Sequence, residues 1–151
     1  MPKILIVEDD PFLSEMYSTK LVQEKFDVDF AVDGKEAVKK AKETKPDLIL
    51  LDIVLPKMDG FEVLQEIKKD PELRNIQIIA LTNLGQKEEV EKGLKLGVDD
   101  YIVKAHFTPT EVVNKIKQVI KEIKHWNNGY EHRKNGKNPL NSVSVSVNFG
   151  V

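Results

Sequence analysis

The chain reads as an α/β domain in which a parallel β-sheet is wound on both faces by helices. Two observations predict this. Short apolar runs alternate five times with longer stretches whose apolar residues recur at helical spacing. The runs are apolar throughout rather than every second residue, as strands are when helices cover both faces of a parallel sheet.

The first run is Ile4–Val7, followed by Leu13, Met16, Tyr17 and Leu21 at helical spacing. Asp10-Pro11 starts that helix with a side-chain acceptor and a preset φ. The second run, Val28–Val32, ends at Asp33-Gly34, which reads as a plain turn, and Ala37, Val38 and Ala41 follow. The third, Leu48–Leu51, runs into Asp52 and precedes the stripe Phe61, Leu64, Ile67. The fourth, Ile76–Leu81, precedes a weaker stripe of Val90 and Leu94, with Gly97 as its stop. The fifth is Tyr101–Val103. After it, Thr108-Pro109-Thr110-Glu111 has the pattern of a capping box, opening the stripe Val112, Ile116, Val119, Ile120, Ile123. The order is (βα)5, and right-handed crossovers leave few topologies for it.

This unit takes residues 1–124. Residues 125–151 form a C-terminal extension outside the βα pattern: a polar, turn-rich stretch, then SVSVSVNFGV alternating at period two. It is either an appended, weakly ordered tail or a strand added to a sheet edge.

The 151 residues suit one domain, with 40% hydrophobic and 32% charged residues and a net charge of −2. That balance advertises no direct nucleic-acid binding. With no cysteine, disulfides and thiolate chemistry are excluded. No run nears the ~20 apolar residues of a membrane span, and the N-terminus is too short for a signal peptide. A cytoplasmic protein with no membrane contact is expected.

The strand ends carry the chemistry. Strand one ends in Glu8-Asp9-Asp10, strand three in Asp52, strand four in Thr82-Asn83 and strand five in Lys104. In a parallel sheet these ends share one edge, where open α/β sheets bind ligands. In the order 2-1-3-4-5, strands one and three are neighbours about 4.8 Å apart, and Lys104 lies roughly 10 Å away in backbone terms. Carboxylates so placed repel, by about 4 kcal/mol for a pair at ~4 Å and effective dielectric of ~20. A divalent cation reverses that sign. Mg²⁺ fits best, since it takes a few carboxylates, keeps waters and accepts a phosphate oxygen. No His or Cys is placed to argue for zinc. Asp52 is then the candidate nucleophile, forming an aspartyl-phosphate, with Lys104 balancing the phosphate charge.

The segments ILIVEDD, LLDIVLPKMDG, ALTNLG and GVDDYIVK, in this order and spacing over roughly residues 2–124, resemble the receiver domain of two-component response regulators, of the stand-alone type. The resemblance implies a flavodoxin-like fold with strand order 2-1-3-4-5. It implies that Asp52 takes a phosphoryl group from the phosphohistidine of a histidine kinase or phosphotransfer protein, with Mg²⁺ as cofactor. Glu8, Asp9, Asp52 and the backbone carbonyl of Val54 would hold the metal. Lys104 would pair with the phosphate and Thr82 would move to bond a phosphoryl oxygen. Tyr101 would follow by changing rotamer, altering a protein-binding face made by helix four, strand five and helix five. Pro56 and Gly60 would shape the loop after the phosphorylation site. Asp10 is left to cap helix one. Such a protein is no turnover enzyme; it catalyses only its own phosphorylation and dephosphorylation. The residues after the fifth helix are too few for a DNA-binding effector, so output through a downstream protein is expected, and a homodimer is compatible with the sequence.

Three departures from the family pattern stand out. Ala105 follows Lys104 where a cis proline is usual, and a cis bond before alanine costs about 2.5–4 kcal/mol, so a trans bond is expected. Asn83 replaces a small residue. Val54 and Leu84 hold positions that tune dephosphorylation, and neither can orient water, so slow self-hydrolysis is expected. Other readings weigh less. A haloacid-dehalogenase-like Mg²⁺ phosphatase would want an Asp where Val54 stands, and a phosphate-independent scaffold would keep the fold without switching. Lys87, Glu88, Glu89, Glu91 and Lys92 read as a solvated helix face, and so does the basic side Lys115, Lys117, Lys121, Lys124. His106, His125 and His132 lack metal-site spacing.

Overall fold

The computed structural model describes residues 1–83 and 86–120, and the backbone of 121–129. Five strands, β1 (Lys3–Val7), β2 (Asp27–Ala31), β3 (Leu48–Asp52), β4 (Gln77–Thr82) and β5 (Asp100–Val103), alternate with α1 (Pro11–Gln23), α2 (Gly34–Thr44), α3 (Gly60–Lys69), α4 (Lys87–Leu96) and α5 (Pro109–Gly129). The sheet order is β2-β1-β3-β4-β5, all parallel. This is the flavodoxin-like (βα)5 arrangement read from the sequence.

Side-chain alternation divides the core between the two faces of the sheet. Leu5, Val7, Ile49, Leu51 and Ile78 pack under α2, α3 and α4, against Ala37, Val63 and Leu64 among others. Ile4, Ile6, Leu48, Leu50 and Ile102 pack under α1 and α5, against Tyr17, Leu21, Val112 and Ile116. Every residue of β3 is buried, which is why it reads as an unbroken apolar run. Each large apolar side chain removed from water in these two layers stabilises the fold by roughly 1.5–3 kcal/mol.

Helix starts follow their chemistry. Asp10 accepts from Phe12 N at 2.9 Å and Leu13 N at 3.3 Å. Thr108 and Glu111 make both bonds of the capping box, at 3.2 and 3.0 Å. Gly97 ends α4 at φ 102°, a left-handed conformation that glycine adopts without Cβ strain.

Several expectations need correction. Val32 lies outside β2 and is exposed, and the fourth strand opens at Gln77 rather than Ile76, which is buried just before it. Leu94 is 40% exposed; the buried positions of α4 are Val90 and Gly93. Asp33-Gly34 is not a plain turn: Asp33 caps α2, accepting from Glu36 N at 2.8 Å. The fifth helix continues to Gly129, past the boundary drawn at residue 124. The strand proposed within SVSVSVNFGV lies outside the described residues, as does Leu84. No peptide bond among the described residues is cis, so Lys104–Ala105 is trans, within a 3-10 turn spanning Lys104–His106. No helix among them is long and apolar enough to cross a membrane.

Candidate functional site

Strand register brings the chemistry to one edge. Val7 aligns with Leu51, Asp52 with Leu81 and Thr82 with Val103. Glu8, Asp52, Thr82 and Lys104 therefore emerge at the carboxyl end of four adjacent strands.

Glu8, Asp9 and Asp52 each present a carboxylate oxygen, and these atoms lie within 4.8 Å of one another. Glu8 and Asp52 are buried and Asp9 is exposed. Lys104 Nζ donates to Glu8 Oε2 at 2.7 Å and to Asp52 Oδ2 at 2.8 Å. Asp52 Oδ1 accepts from Val54 N at 3.0 Å, which fixes the carboxylate plane. The Asp10 carboxylate is engaged with its own helix, while its backbone N–H donates to Glu8 Oε1 at 3.3 Å.

The charges are poised. Burial, reinforced by Asp52, pushes the Glu8 carboxyl up to about 7 against the pull of Lys104. Burial pulls Lys104 down, but Asp52 and Glu8 outweigh it and leave the ammonium above its usual range. Burial pushes the Tyr17 hydroxyl beneath the site up to about 12. The group can hold a hard cation: its donors are all oxygen, and the suite lacks the imidazole or thiolate a softer metal would favour. It can also accept an electrophile on Asp52, with one fixed cation beside it.

Thr82 is buried at the next strand end, and Tyr101 on β5 is fully buried. The Tyr101 hydroxyl donates to Glu89 Oε1 at 2.6 Å. Burial and Glu89 raise its pKa, and a hydrogen bond with Thr82 acts the other way. Its ring lies against Gly93, where a Cβ would come within 2.8 Å of Cε2. Glu89 is thus not merely part of a solvated face. Nothing in the sequence marked it, because its partner lies twelve residues on, across a helix-to-strand crossing. Lys115 was also read as solvated, yet it pairs with buried Asp100 at 3.1 Å. Lys92 sits 4.5 Å from the Phe61 ring centroid. Val54 is 64% exposed beside the site. The side chains of Lys121, Lys124 and His125, and all of His132, lie outside the described residues.

Comparison with known proteins agrees with this geometry. Residues 4–117 match the family model of the response regulator receiver domain. The chain is 39% identical over 121 residues to the DNA-binding dual master transcriptional regulator RpaA of Synechocystis, covering 80% of this chain and 50% of that protein. It is 38% identical over 124 residues to the phosphate regulon transcriptional regulatory protein PhoB of Rhizobium meliloti, covering 82% and 54%. The chain thus spans about half the length of these curated relatives. Among solved structures, a Francisella response regulator receiver domain superposes with TM-score 0.74 at 31% identity, covering 82% of this chain and 99% of that one. The receiver domain of a Pseudomonas aeruginosa sensor histidine kinase, described with magnesium coordinated in its active site cleft, superposes with TM-score 0.70 at 32% identity, covering 78% and 95%.

Proposed function

The chain belongs to the response regulator receiver domain family of two-component signalling, and from that premise we propose that Asp52 is its phosphoacceptor. The observation that carries this is the approach of Lys104 to Asp52 at 2.8 Å beside two further carboxylates. The Asp52 carboxylate attacks phosphorus in a histidine kinase phosphohistidine or an acyl phosphate donor. A new O–P bond forms, the P–N or P–O bond to the donor breaks, and the leaving group keeps that electron pair. Val54 N orients the Asp52 carboxylate, and the Lys104 ammonium moves from carboxylate to phosphoryl oxygen as charge develops there.

Glu8, Asp9, Asp52 and the Val54 carbonyl would hold Mg²⁺. When bound, the ion neutralises the carboxylates and the charge on the transferring phosphoryl group. Thr82, at the neighbouring strand end, would bond a phosphoryl oxygen. Tyr101 would pass that change to the α4-β5-α5 face through its contacts with Thr82 and Glu89. We infer signalling through a downstream protein at that face, without direct nucleic-acid contact by the described residues. A second, DNA-binding half, as the name of the Synechocystis relative suggests, is the competing route of output. The cytoplasmic setting expected from the sequence belongs to the same reading, as does a homodimer. The proposed unit takes residues 1–124 and the extension 125–151, with the backbone of α5 running on to Gly129.

The test is incubation with acetyl phosphate and Mg²⁺, then intact mass. A gain of one phosphoryl mass, abolished by Asp52→Asn and by chelator, is the expected result. Phosphate release without an adduct would point to a phosphatase, and no reaction at all to a scaffold. Slow loss of the adduct is expected, because exposed Val54 offers no hydrogen bond to an attacking water.

A further inference from the structure

The start of α2 is built into the loop that follows Asp52. A Cβ on Gly34 would fall 2.1 Å from the Met58 carbonyl oxygen and 2.6 Å from Met58 Cβ. Gly34 does not have a left-handed φ, since Gly97 alone does among the described glycines. Glycine is needed here for space, not for conformation. The segment it touches is strained. Lys57, a non-glycine, has φ 66°, and Met58 N donates to Pro56 O at 2.7 Å, a γ-turn of the rarer hand. Lys57 Nζ reaches Asp33 Oδ2 at 3.4 Å. The loop's far end is equally tight. A Cβ on Gly60 would lie 2.5 Å from Ile53 Cα and 2.6 Å from the Asp52 carbonyl oxygen. Residues 53–59 are therefore wedged between the α2 start and the backbone of Asp52 itself.

We propose that Gly34 is a positioning residue for the metal and phosphoryl site: by admitting the Met58 backbone it seats the strained loop and so fixes the Val54 carbonyl and Asp52. The role rests on the reading of Asp52 and Val54 given above. A Cβ at position 34 would push Met58 outward, and the short path from Met58 to Val54 would carry the displacement to the site. The Asp33–Lys57 pair works in the same direction, holding the residue with the unfavourable φ.

The test is calorimetric titration of the 151-residue chain with MgCl₂, alongside the rate of adduct formation with acetyl phosphate. Gly34→Ala is expected to weaken Mg²⁺ binding about tenfold, as loss of support behind a ligand does. Lys39→Gly, which weakens the same helix at an exposed position, is expected to bind Mg²⁺ as the wild type does. Unchanged affinity in Gly34→Ala overturns the proposal, and so does an equal loss in Lys39→Gly. If Gly34→Ala does not fold, Lys57→Met carries the test: weaker Mg²⁺ binding supports the role and unchanged binding overturns it. A wild-type chain that neither binds Mg²⁺ nor forms the adduct would remove the reading of the site, and the positioning role with it.

Discussion

At the scale of single residues, the β2–α2 junction shows how one side chain serves two purposes. Asp33 caps α2 and reaches Lys57 across the loop. The Glu36 backbone N–H, joined by Lys57, holds its carboxyl below the usual range despite an opposing desolvation. The folded pKa is thus lower than in the unfolded chain. The stabilisation is full above about pH 4 and is lost as pH falls through the depressed folded value. Asp33→Asn keeps a good cap and removes only the charge. We expect it to unfold earlier than wild type in urea at pH 7, with the two midpoints converging as pH drops below the carboxylate range. A gap independent of pH would rule out the charge as its source. The capping function of Asp10 was legible in sequence because Pro11 follows it directly. That of Asp33 was not, because Asp-Gly is equally the signature of a tight turn.

At the scale of elements, β2 is an edge of the sheet among the described residues, and its outward backbone groups are covered by nearby side chains. Asp27 N donates to Pro2 O and Ala31 O accepts from Glu8 N, so the odd residues of β2 bond to β1. Alternation turns the Val28 and Phe30 backbone groups outward. Phe30 N is taken by Asp29 Oδ1 at 2.8 Å, and the Phe30 carbonyl accepts from Lys40 Nζ. Glu36 steadies that lysine at 3.1 Å. Side chains thus occupy polar groups that would otherwise template another strand. The double variant Asp29→Ala, Lys40→Ala is expected to self-associate at concentrations where the wild type does not, as read by sedimentation velocity. An unchanged monomer fraction would show that the cover is dispensable. α4 illustrates the opposite limit of sequence reading. Its apolar periodicity is weak, and the Val90–Leu94 spacing points Leu94 inward, whereas it is 40% exposed. The buried position is Gly93, chosen by the Tyr101 ring that packs on it.

At the scale of the whole molecule, the site and the fold are linked through charge. Glu8 and Asp52 are buried and share one partly buried ammonium, and removing it leaves two carboxylates uncompensated. Lys104→Met is expected to lower the unfolding free energy in chelator by up to about 3 kcal/mol. At one fixed Mg²⁺ concentration, a hundredfold above the variant's dissociation constant, the metal should return about 2.7 kcal/mol to the variant and less to the wild type, whose lysine competes for the same carboxylates. Urea midpoints with and without Mg²⁺ check this: the metal-dependent gain should be larger in the variant than in the wild type, and equal gains would contradict the linkage. With the strand order 2-1-3-4-5 implied by the family resemblance, the sequence by itself determined the (βα)5 order and the residues that stand at the strand ends. It could do so because unbroken apolar runs, helix caps and right-handed crossovers are local or nearly local rules. Tertiary structure alone decided that Glu89 meets Tyr101, that Lys115 meets Asp100 and that Gly34 yields its space to Met58. Those partners lie on different elements, and their meeting depends on packing distances to a fraction of an ångström, which no periodicity encodes.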